Sequence, residues 1–510
     1  MSVNQMTEFN QAHEVIKAKD LLEELIELYD DVVTEGNQIF AKWKEEITRS
    51  DFEESARNLS YYLALRQRDI RGIQKDLVPW GLSSLGRLEA KTLSTLEAVI
   101  SALSAIVGDK SQIKQPDFKE FSVGEAKLAS NIEKILGQAP SNRYTRIMVT
   151  MPSEVSEDIE LAKNLISKGM NVARINCAHD NTEIWQKMIH NIRKSAEELG
   201  KDVKILMDIA GPKIRTEWIY TTYKKPKVSV SDKICLTTNN QMLPTNQEVK
   251  VTVGTSVPEI INQLSVGDPV LIDDGSIESI VESINEEEAI LLVKRVSGKS
   301  IRLKAEKGLN FPGLYFDIDI LTDEDVDAMK FAVEHADIIG CSFIRDVKDV
   351  EAIQAELDKL LGNKAGTVAL LFKIETVQAV NNLTQLILKA ASRNPLSIMI
   401  ARGDLAVETG YIRLAEVQQQ IMWVCEAANI PVVWGTEVLA NMLETGIPSR
   451  AEVTDAAEGA RSDCVMINKG NYMLETVTML DEILHMMKEH QFKKTPKLRA
   501  LSIAKNIMID

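Results

Sequence analysis

Seven stretches of this chain place polar or charged side chains just after apolar runs, where a strand would hand over to a loop. Arg174 and Asn176 close NVARIN, with His179 just beyond; Asp208 ends VKILMDI and leads into AGPKIRT, which carries Lys213 and Arg215. Ser342 and Arg345 follow the fourth run, Lys373 and Glu375 the fifth, Arg402-Gly403-Asp404 the sixth, Thr436 the seventh and Asn468-Lys469 the eighth. Glu375 and Asp404 would come from neighbouring strands about 5 Å apart and can share one hard cation. Mg2+, or Mn2+ in its stead, suits two carboxylates completed by phosphate and carboxylate oxygens of a ligand. Arg174, Lys213, Arg215, Lys307 and Lys373 could neutralise phosphoryl oxygens, Lys373 as a point charge beside the metal. The Gly403 and Asp404 amides would open a turn or short helix, a seat for a substrate carboxylate. No single pair is specific. Their convergence fits phosphoryl transfer, where positioning and charge supply most of the catalysis.

Such residues meet only if a scaffold brings many strand ends to one face. From residue 145, TRIMVT (145–150), NVARIN (171–176), VKILMDI (203–209), ADIIGCSFI (336–344), TVALLFKI (367–374), LSIMIA (396–401), IPVVWG (430–435) and DCVMI (463–467) alternate with helical patterns. Eight strands in βα alternation predict an α/β fold, a closed (β/α)8 TIM barrel; an open doubly wound sheet is the plainer alternative, and the count favours the barrel. Residues 217–304 interrupt the alternation with short strand patterns between Gly, Asp and Asn turns. They predict a small β-barrel lid inserted between strands three and four, a hinged cap or a passive insertion. The chain thus divides into an N-terminal helical domain (1–140), two barrel parts (141–216 and 305–490), the lid (217–304) and a C-terminal tail (491–510). Within the helical domain, LLEELIELYDDVV (21–33) and a helix over 56–77 carry apolar residues at three- and four-residue spacing. Pro79 and Gly81 end the second, Ser83 or Ser84 is a candidate cap for the next, 108–126 reads as a looser stretch, and another short helix runs to Leu136 before a linker at 137–142.

The 510 residues are 45% hydrophobic and 26% charged, which excludes a wholly disordered chain. Lys and Arg number 59 against 75 acidic residues, a net charge of -16. Such a surface repels nucleic acid and anionic membrane on average, so neither is expected as a partner. The five cysteines are widely spaced, with no CxxC or Cys/His cluster, arguing against structural zinc and a disulfide scaffold. Cys177, Cys341 and Cys464 lie in or just after apolar runs and are expected to pack in the core. With no apolar signal core at the start and no uncharged run near the roughly 20 residues of a membrane span, a cytoplasmic protein is expected.

MNVARINCAH (170–179), MDIAGPKIRT (207–216), LIDDGSIESIV (271–281), EKGLNFPG (306–313), CSFIRDVKDV (341–350), KIET (373–376), IMIARGDLAVE (398–408) and GTEVLANMLETGIPSRAEVTD (435–455) resemble the pyruvate kinase family in order and spacing. The resemblance covers roughly residues 143–490. It implies a barrel with a mobile lid that transfers the phosphoryl group of phosphoenolpyruvate to ADP, giving pyruvate and ATP. Carried over by position, Glu375 and Asp404 resemble the Mg2+ ligands and Lys373 the lysine that steadies the transferring group. Arg174 and Arg215 resemble phosphate-binding arginines, and Lys307 a nucleotide-phosphate contact at the lid hinge. Thr436, with the Gly403 and Asp404 amides, would hold the substrate carboxylate and lie near the proton-delivery side of the enolate. Pro152 and His179 would border the adenine. Asp273 and Asp274 would face the nucleotide on lid closure, although Asp-Asp-Gly is also simply a good turn.

The departures are informative. Asn176-Cys177-Ala178-His179 lacks a hydroxyl that in many relatives helps bind a monovalent cation, and Lys213 stands where they carry glutamate. In this family lysine there resembles the potassium-independent form, its ammonium substituting for the ion's charge, so no K+ requirement is expected. The loop after strand eight is shorter than usual, and only about 20 residues follow the barrel, too few for the family's C-terminal domain. Neither activation by a sugar bisphosphate nor the usual tetramer is therefore expected, a homodimer being the assembly considered. The helical domain resembles leaders of a less-studied bacterial subgroup and is expected to pack on the barrel or supply a dimer surface. Another phosphoryl acceptor, or a non-catalytic regulatory protein that kept the fold, remain the alternative functions.

Overall fold

The computed structural model describes residues 3–109, 113–224, 227–238 and 248–499. Eight parallel strands form its centre: β1 (Arg146–Thr150), β2 (Val172–Asn176), β3 (Lys204–Ile209), β4 (Ile338–Cys341), β5 (Ala369–Ile374), β6 (Leu396–Ala401), β7 (Val432–Gly435) and β8 (Cys464–Ile467). Each neighbours the next in chain order, and β8 pairs back onto β1, so the sheet is the closed barrel and not the open alternative. The strands are apolar on both faces because helices cover the outside and side chains fill the inside. Met148, Leu206, Leu371, Met399 and Met466 belong to that inner cluster. Register decides where the polar ends meet: Asp208 lies opposite Asn176 of β2 on one side and Gly340 of β4 on the other. A Cβ at Gly340 would stand 2.8 Å from Asp208 Oδ1, so glycine there makes room for a buried carboxylate.

The opposite mouth of the barrel is stoppered. Helix α1 (Val3–Trp43), α2 (Ser50–Arg66), α3 (Arg71–Leu77), α4 (Thr92–Val107) and α5 (Phe118–Leu136) make up the N-terminal region. The last of these places Leu128, Ile132, Ile135 and Leu136 in the same cluster as the barrel's inner residues. The 108–126 stretch is thus helical from Phe118, started by a capping box between Asp117 and Glu120 that sequence reading passed over. Gly124 lets α5 lie against the preceding segment, since a Cβ there would sit 1.8 Å from the Ala90 carbonyl oxygen. The helix expected over 56–77 is broken in two: the Asp69 side chain accepts from the Arg71 amide (3.1 Å) and from its guanidinium, starting α3 afresh. Neither Ser83 nor Ser84 caps a helix; two short 3-10 turns intervene and α4 begins at Thr92. Residues Glu89–Val107 are long and apolar enough by composition to cross a membrane, while Leu96, Val99, Ile100 and Leu103 among them are buried and α4 packs on α1 and α2. The segment after the barrel opens with a two-stranded ribbon, Gln491–Phe492 with Thr495–Pro496, whose Lys494 forms an ion pair with buried Glu89. Residues 500–510 lie outside those described.

The lid is a seven-stranded sheet with its own core. From edge to edge it runs Leu309–Asn310, Pro269–Ile272, Ile277–Ile284, Glu288–Val296, Lys233–Thr237, Val249–Thr255 and Thr216–Tyr220. An isolated bridge between Arg215 and Gly308 brings the two edges together at the barrel, so the sheet is nearly a second barrel. Alternation sets its faces: Ile277, Ser279 and Val281 point inward, as do Ala289, Leu291 and Val293.

Asn429 ties the N-terminal region to the loop that enters β7. Its backbone is left-handed (φ 53°), its Oδ1 accepts from Ser55 Oγ (2.8 Å), its Nδ2 donates to Gly124 O (3.0 Å), and its carbonyl accepts from Asn131 Nδ2 (2.8 Å). Asn429→Ala removes both side-chain bonds at a buried site and leaves a poor residue in that conformation. Urea denaturation should register a loss of about 2–4 kcal/mol; a loss below about 0.5 kcal/mol would show that these bonds do not secure the extension.

Candidate active site at the barrel rim

The ends of β1 to β5 build one buried chain of charges. Arg174 on β2 donates from Nε to Asp208 Oδ2 (2.8 Å) and from a terminal nitrogen to Thr150 Oγ1 (2.9 Å) at the end of β1. Asp208 at the end of β3 also lies 3.6 Å from Lys373 Nζ. Lys373 on β5 reaches Glu375 Oε1 (3.0 Å) and donates to Ser342 Oγ (2.8 Å), just beyond β4. Glu375 is completed by the Phe343 amide, which donates to Oε2 at 2.6 Å. Asp208 and Glu375 are 1% and 2% exposed, so their ionisation depends on these neighbours rather than on water. Burial alone would raise Asp208, but Lys373 and Arg174 outweigh it and hold the carboxyl below its ordinary range. Glu375 moves the other way: burial and the neighbouring Asp404 raise it, with Lys373 pulling only partly against them. Burial tends to lower Lys373, and the charges of Asp208 and Glu375 reverse that, keeping it a firm cation.

Asp404 enters from the next strand end. The helix Arg402–Thr409 begins directly after β6 and carries Asp404 in its first turn, where the helix dipole favours an anion. Both of its carboxylate oxygens accept from Lys213 Nζ, at 2.8 and 3.0 Å. Among the described residues no group of three or more His, Cys, Asp or Glu is arranged to hold a metal. The rim therefore offers two carboxylates, Glu375 and Asp404, close enough for the second to raise the first. A hard cation between them would relieve that repulsion, leaving its other positions for ligand and water oxygens, which fits Mg2+.

Thr436 is held in a strained shape beside them. Its φ of 60° is unusual for a β-branched residue, and Glu437 follows at 57°. Arg402 maintains the turn, donating to Gly435 O (2.9 Å) and Thr436 O (2.6 Å), stacking over Trp434 and pairing with Asp455. Thr436 Oγ1 accepts from the Gly403 amide (2.7 Å), so a ligand carboxylate must take that donor from the hydroxyl.

The remaining candidates line the approach and do not touch the charge chain. Lys307 Nζ pairs with Asp273 (2.8 Å) across the lid root, and Arg215 donates to Glu306 O (3.1 Å). Asp273 and Asp274 form a left-handed turn with Gly275, at φ 57°, 52° and 78°. His179 is exposed and Pro152 half-buried, on loops joined by Ser153 Oγ and Asp180 (2.8 and 2.9 Å). Cys341 is buried and Cys177 half-buried; burial pushes both thiols up, which leaves them poor nucleophiles. Sequence reading assigned no role to Asp208, although an acid closing an apolar strand demands a counter-charge. It had no means of finding the Phe343 amide, which reaches Glu375 because Phe343 is left-handed (φ 57°).

The chain matches the family described as "Pyruvate kinase, barrel domain" over residues 142–477. It is 32% identical over 367 residues to a pyruvate kinase of Dictyostelium discoideum, 70% of this chain and 69% of that one. Identity to a pyruvate kinase of Thermococcus litoralis is 34% over 363 residues, 69% and 71% of the two chains. For a pyruvate kinase of Bacillus licheniformis it is 31% over 376 residues, 72% of this chain but 61% of the relative. The chain belongs to the pyruvate kinase family. Helices α1 to α5 lie ahead of the matched region, as an extension to that family's barrel.

A divalent cation on Asp404 would have to compete with Lys213, since the ammonium already engages both oxygens. Lys213→Gln removes the competitor and a nearby like charge. Mn2+ titration followed by electron paramagnetic resonance, without substrates, should give roughly tenfold tighter binding in the variant. Unchanged affinity would rule the competition out.

Proposed function

We propose that this chain transfers the phosphoryl group of phosphoenolpyruvate to ADP, with Mg2+ and without need of K+. The observation that carries the reading is the convergence of Arg174, Lys373, Glu375 and Asp404 at one rim, in a chain of the pyruvate kinase family. In the reaction an oxygen of the ADP β-phosphate attacks phosphorus, the enol C–O–P bond breaks on the phosphorus side, and the enolate carbon takes a proton to give pyruvate. Arg174 and Lys373 present fixed cations to the phosphoryl oxygens, preoriented by Asp208 so that little reorganisation is needed. Glu375 and Asp404 would hold Mg2+, which when bound supplies charge neutralisation to phosphate oxygens. The substrate carboxylate would lie against the Gly403 and Asp404 amides with Thr436 beside it, and a water near the Thr436 hydroxyl would deliver the proton. Arg215 and Lys307 would meet the nucleotide phosphates on lid closure, Lys307 exchanging Asp273 for them, and Pro152 and His179 would border the base.

Lys213 supports the second half of the proposal. Its ammonium is fixed beside Asp404 and over the Phe343 ring at 5.5 Å, a permanent positive charge at the rim. A bound monovalent ion would there meet a like charge, so K+ has little to add.

Pyruvate formation from phosphoenolpyruvate, ADP and Mg2+ should proceed at similar rates with and without K+. Strict dependence on K+ would remove the role given to Lys213, and absence of pyruvate in both conditions would remove the reaction. Lys373→Ala should lower kcat by about 10³-fold or more, with circular dichroism confirming the fold. Retention of more than about a tenth of the activity would exclude Lys373 from transition-state stabilisation.

A further inference from the structure

Both crossings between barrel and lid line a single cavity that lies outside the charge chain. Pro212 and Ile214, which lead into the lid, and Phe311 and Phe316, which lead out of it, line it together with Phe343 and Glu408 of the barrel. The cavity holds about 330 Å³, within the range of small-molecule sites. Phe311, Tyr315, Phe316 and Phe343 share its lining with aliphatic and amide side chains, Phe311 and Phe316 packing edge to face at 5.0 Å. The polar groups are unequally satisfied. Arg345 directs its guanidinium to Asp349, Phe316 O and Ile318 O, so the cavity's one cation is fully engaged. Asn310 Oδ1 is buried without a hydrogen-bond partner. Glu408 receives a long bond from Asn310 Nδ2 (3.4 Å) and the Phe311 amide, and burial, reinforced by Asp404, pushes its carboxyl up to about 7. Asn310 Oδ1 and the weakly bonded Glu408 carboxyl thus leave acceptor capacity beside the phenylalanines.

We propose that this hinge cavity is a binding site for a small aromatic amine, its ring among the phenylalanines and its ammonium on the Glu408–Asn310 side. An anionic ligand would meet the Glu408 carboxyl at close range, and a polyol would leave the aromatic side chains without a match. An amine supplies the missing donor and offsets the repulsion between Glu408 and Asp404, four residues apart on the helix that opens the rim. Because residues of both lid crossings line the cavity together with barrel residues, lid rotation would change its shape. A bound amine therefore holds the lid at one angle. That effect on turnover rests on the phosphotransfer reading; binding itself does not.

The test is calorimetric titration of the full chain with benzylamine, benzyl alcohol and benzoate, without substrates or metal. Benzylamine should saturate one site and bind at least about tenfold more tightly than either other probe. Glu408→Gln, which keeps the shape, and Leu314→Trp, which fills the cavity, should each weaken it about tenfold or more. The variants act by different means, so misfolding of one, seen in its melting curve, leaves the other to decide. Equal affinity for all three probes, no saturation by benzylamine, or unchanged binding in the folded variants would overturn the site. A chain that binds benzylamine in this way yet makes no pyruvate would sink the phosphotransfer reading and leave the hinge site standing.

Discussion

The rim depends on one buried chain of alternating charges, Arg174, Asp208, Lys373 and Glu375. Each of these would be costly to bury alone, and a cation missing from the middle would leave two carboxylates without water or partner. The arrangement is stable only because four adjacent strands, β2 to β5, end at the same height, which the closed barrel enforces through its register. Function gains from the same constraint. Cations held by buried carboxylates cannot turn towards solvent, so they stay aimed at the open end of the barrel, where a phosphoryl group would stand. The network contributes preorganisation more than stability.

Much of this was legible in the chain and some was not, for physical reasons. The barrel could be read because parallel strands covered on both faces are continuous apolar runs, and eight of them alternate with helices. The rim could be read because polar residues at the ends of such runs have no structural reason to be so numerous. The role of Asp208 was hidden because a carboxylate at a strand end has no signature of its own; Gly340 and Arg174, which make room for it and neutralise it, lie far away in sequence. The Phe343 amide was hidden because backbone direction depends on φ, which residue type does not determine for phenylalanine. Only the start of helix α5, up to residue 126, reads as loose, because Gly124 and polar residues interrupt its apolar spacing; the part running to Leu136 reads as helix, and its few leucines and isoleucines fill the barrel's lower mouth.

The strained turn at Thr436 follows the same economy of position. A β-branched residue with positive φ costs of order 1–3 kcal/mol and persists only where surroundings fix it. Arg402 does so from the residue directly before Gly403, so the guanidinium that holds the turn and the amide bonded to the Thr436 hydroxyl belong to one peptide unit's neighbourhood. The Gly403 amide and the Thr436 hydroxyl are thereby registered to each other, independently of the lid.

This registration extends to the far end of the barrel. Asp404 lies in the helix Arg402–Thr409; after Gly410 the helix Tyr411–Ala427 runs the length of the barrel and contacts α2. Asn429 then bonds Ser55 and Gly124 in α2 and α5, and β7 returns the chain to Thr436. One continuous segment, 402–436, thus carries Asp404 near its start, the attachment of the N-terminal helices towards its far end and the strained threonine at its close. The N-terminal extension is thus bonded, at the end away from the rim, to the same continuous segment that carries Asp404 and Thr436.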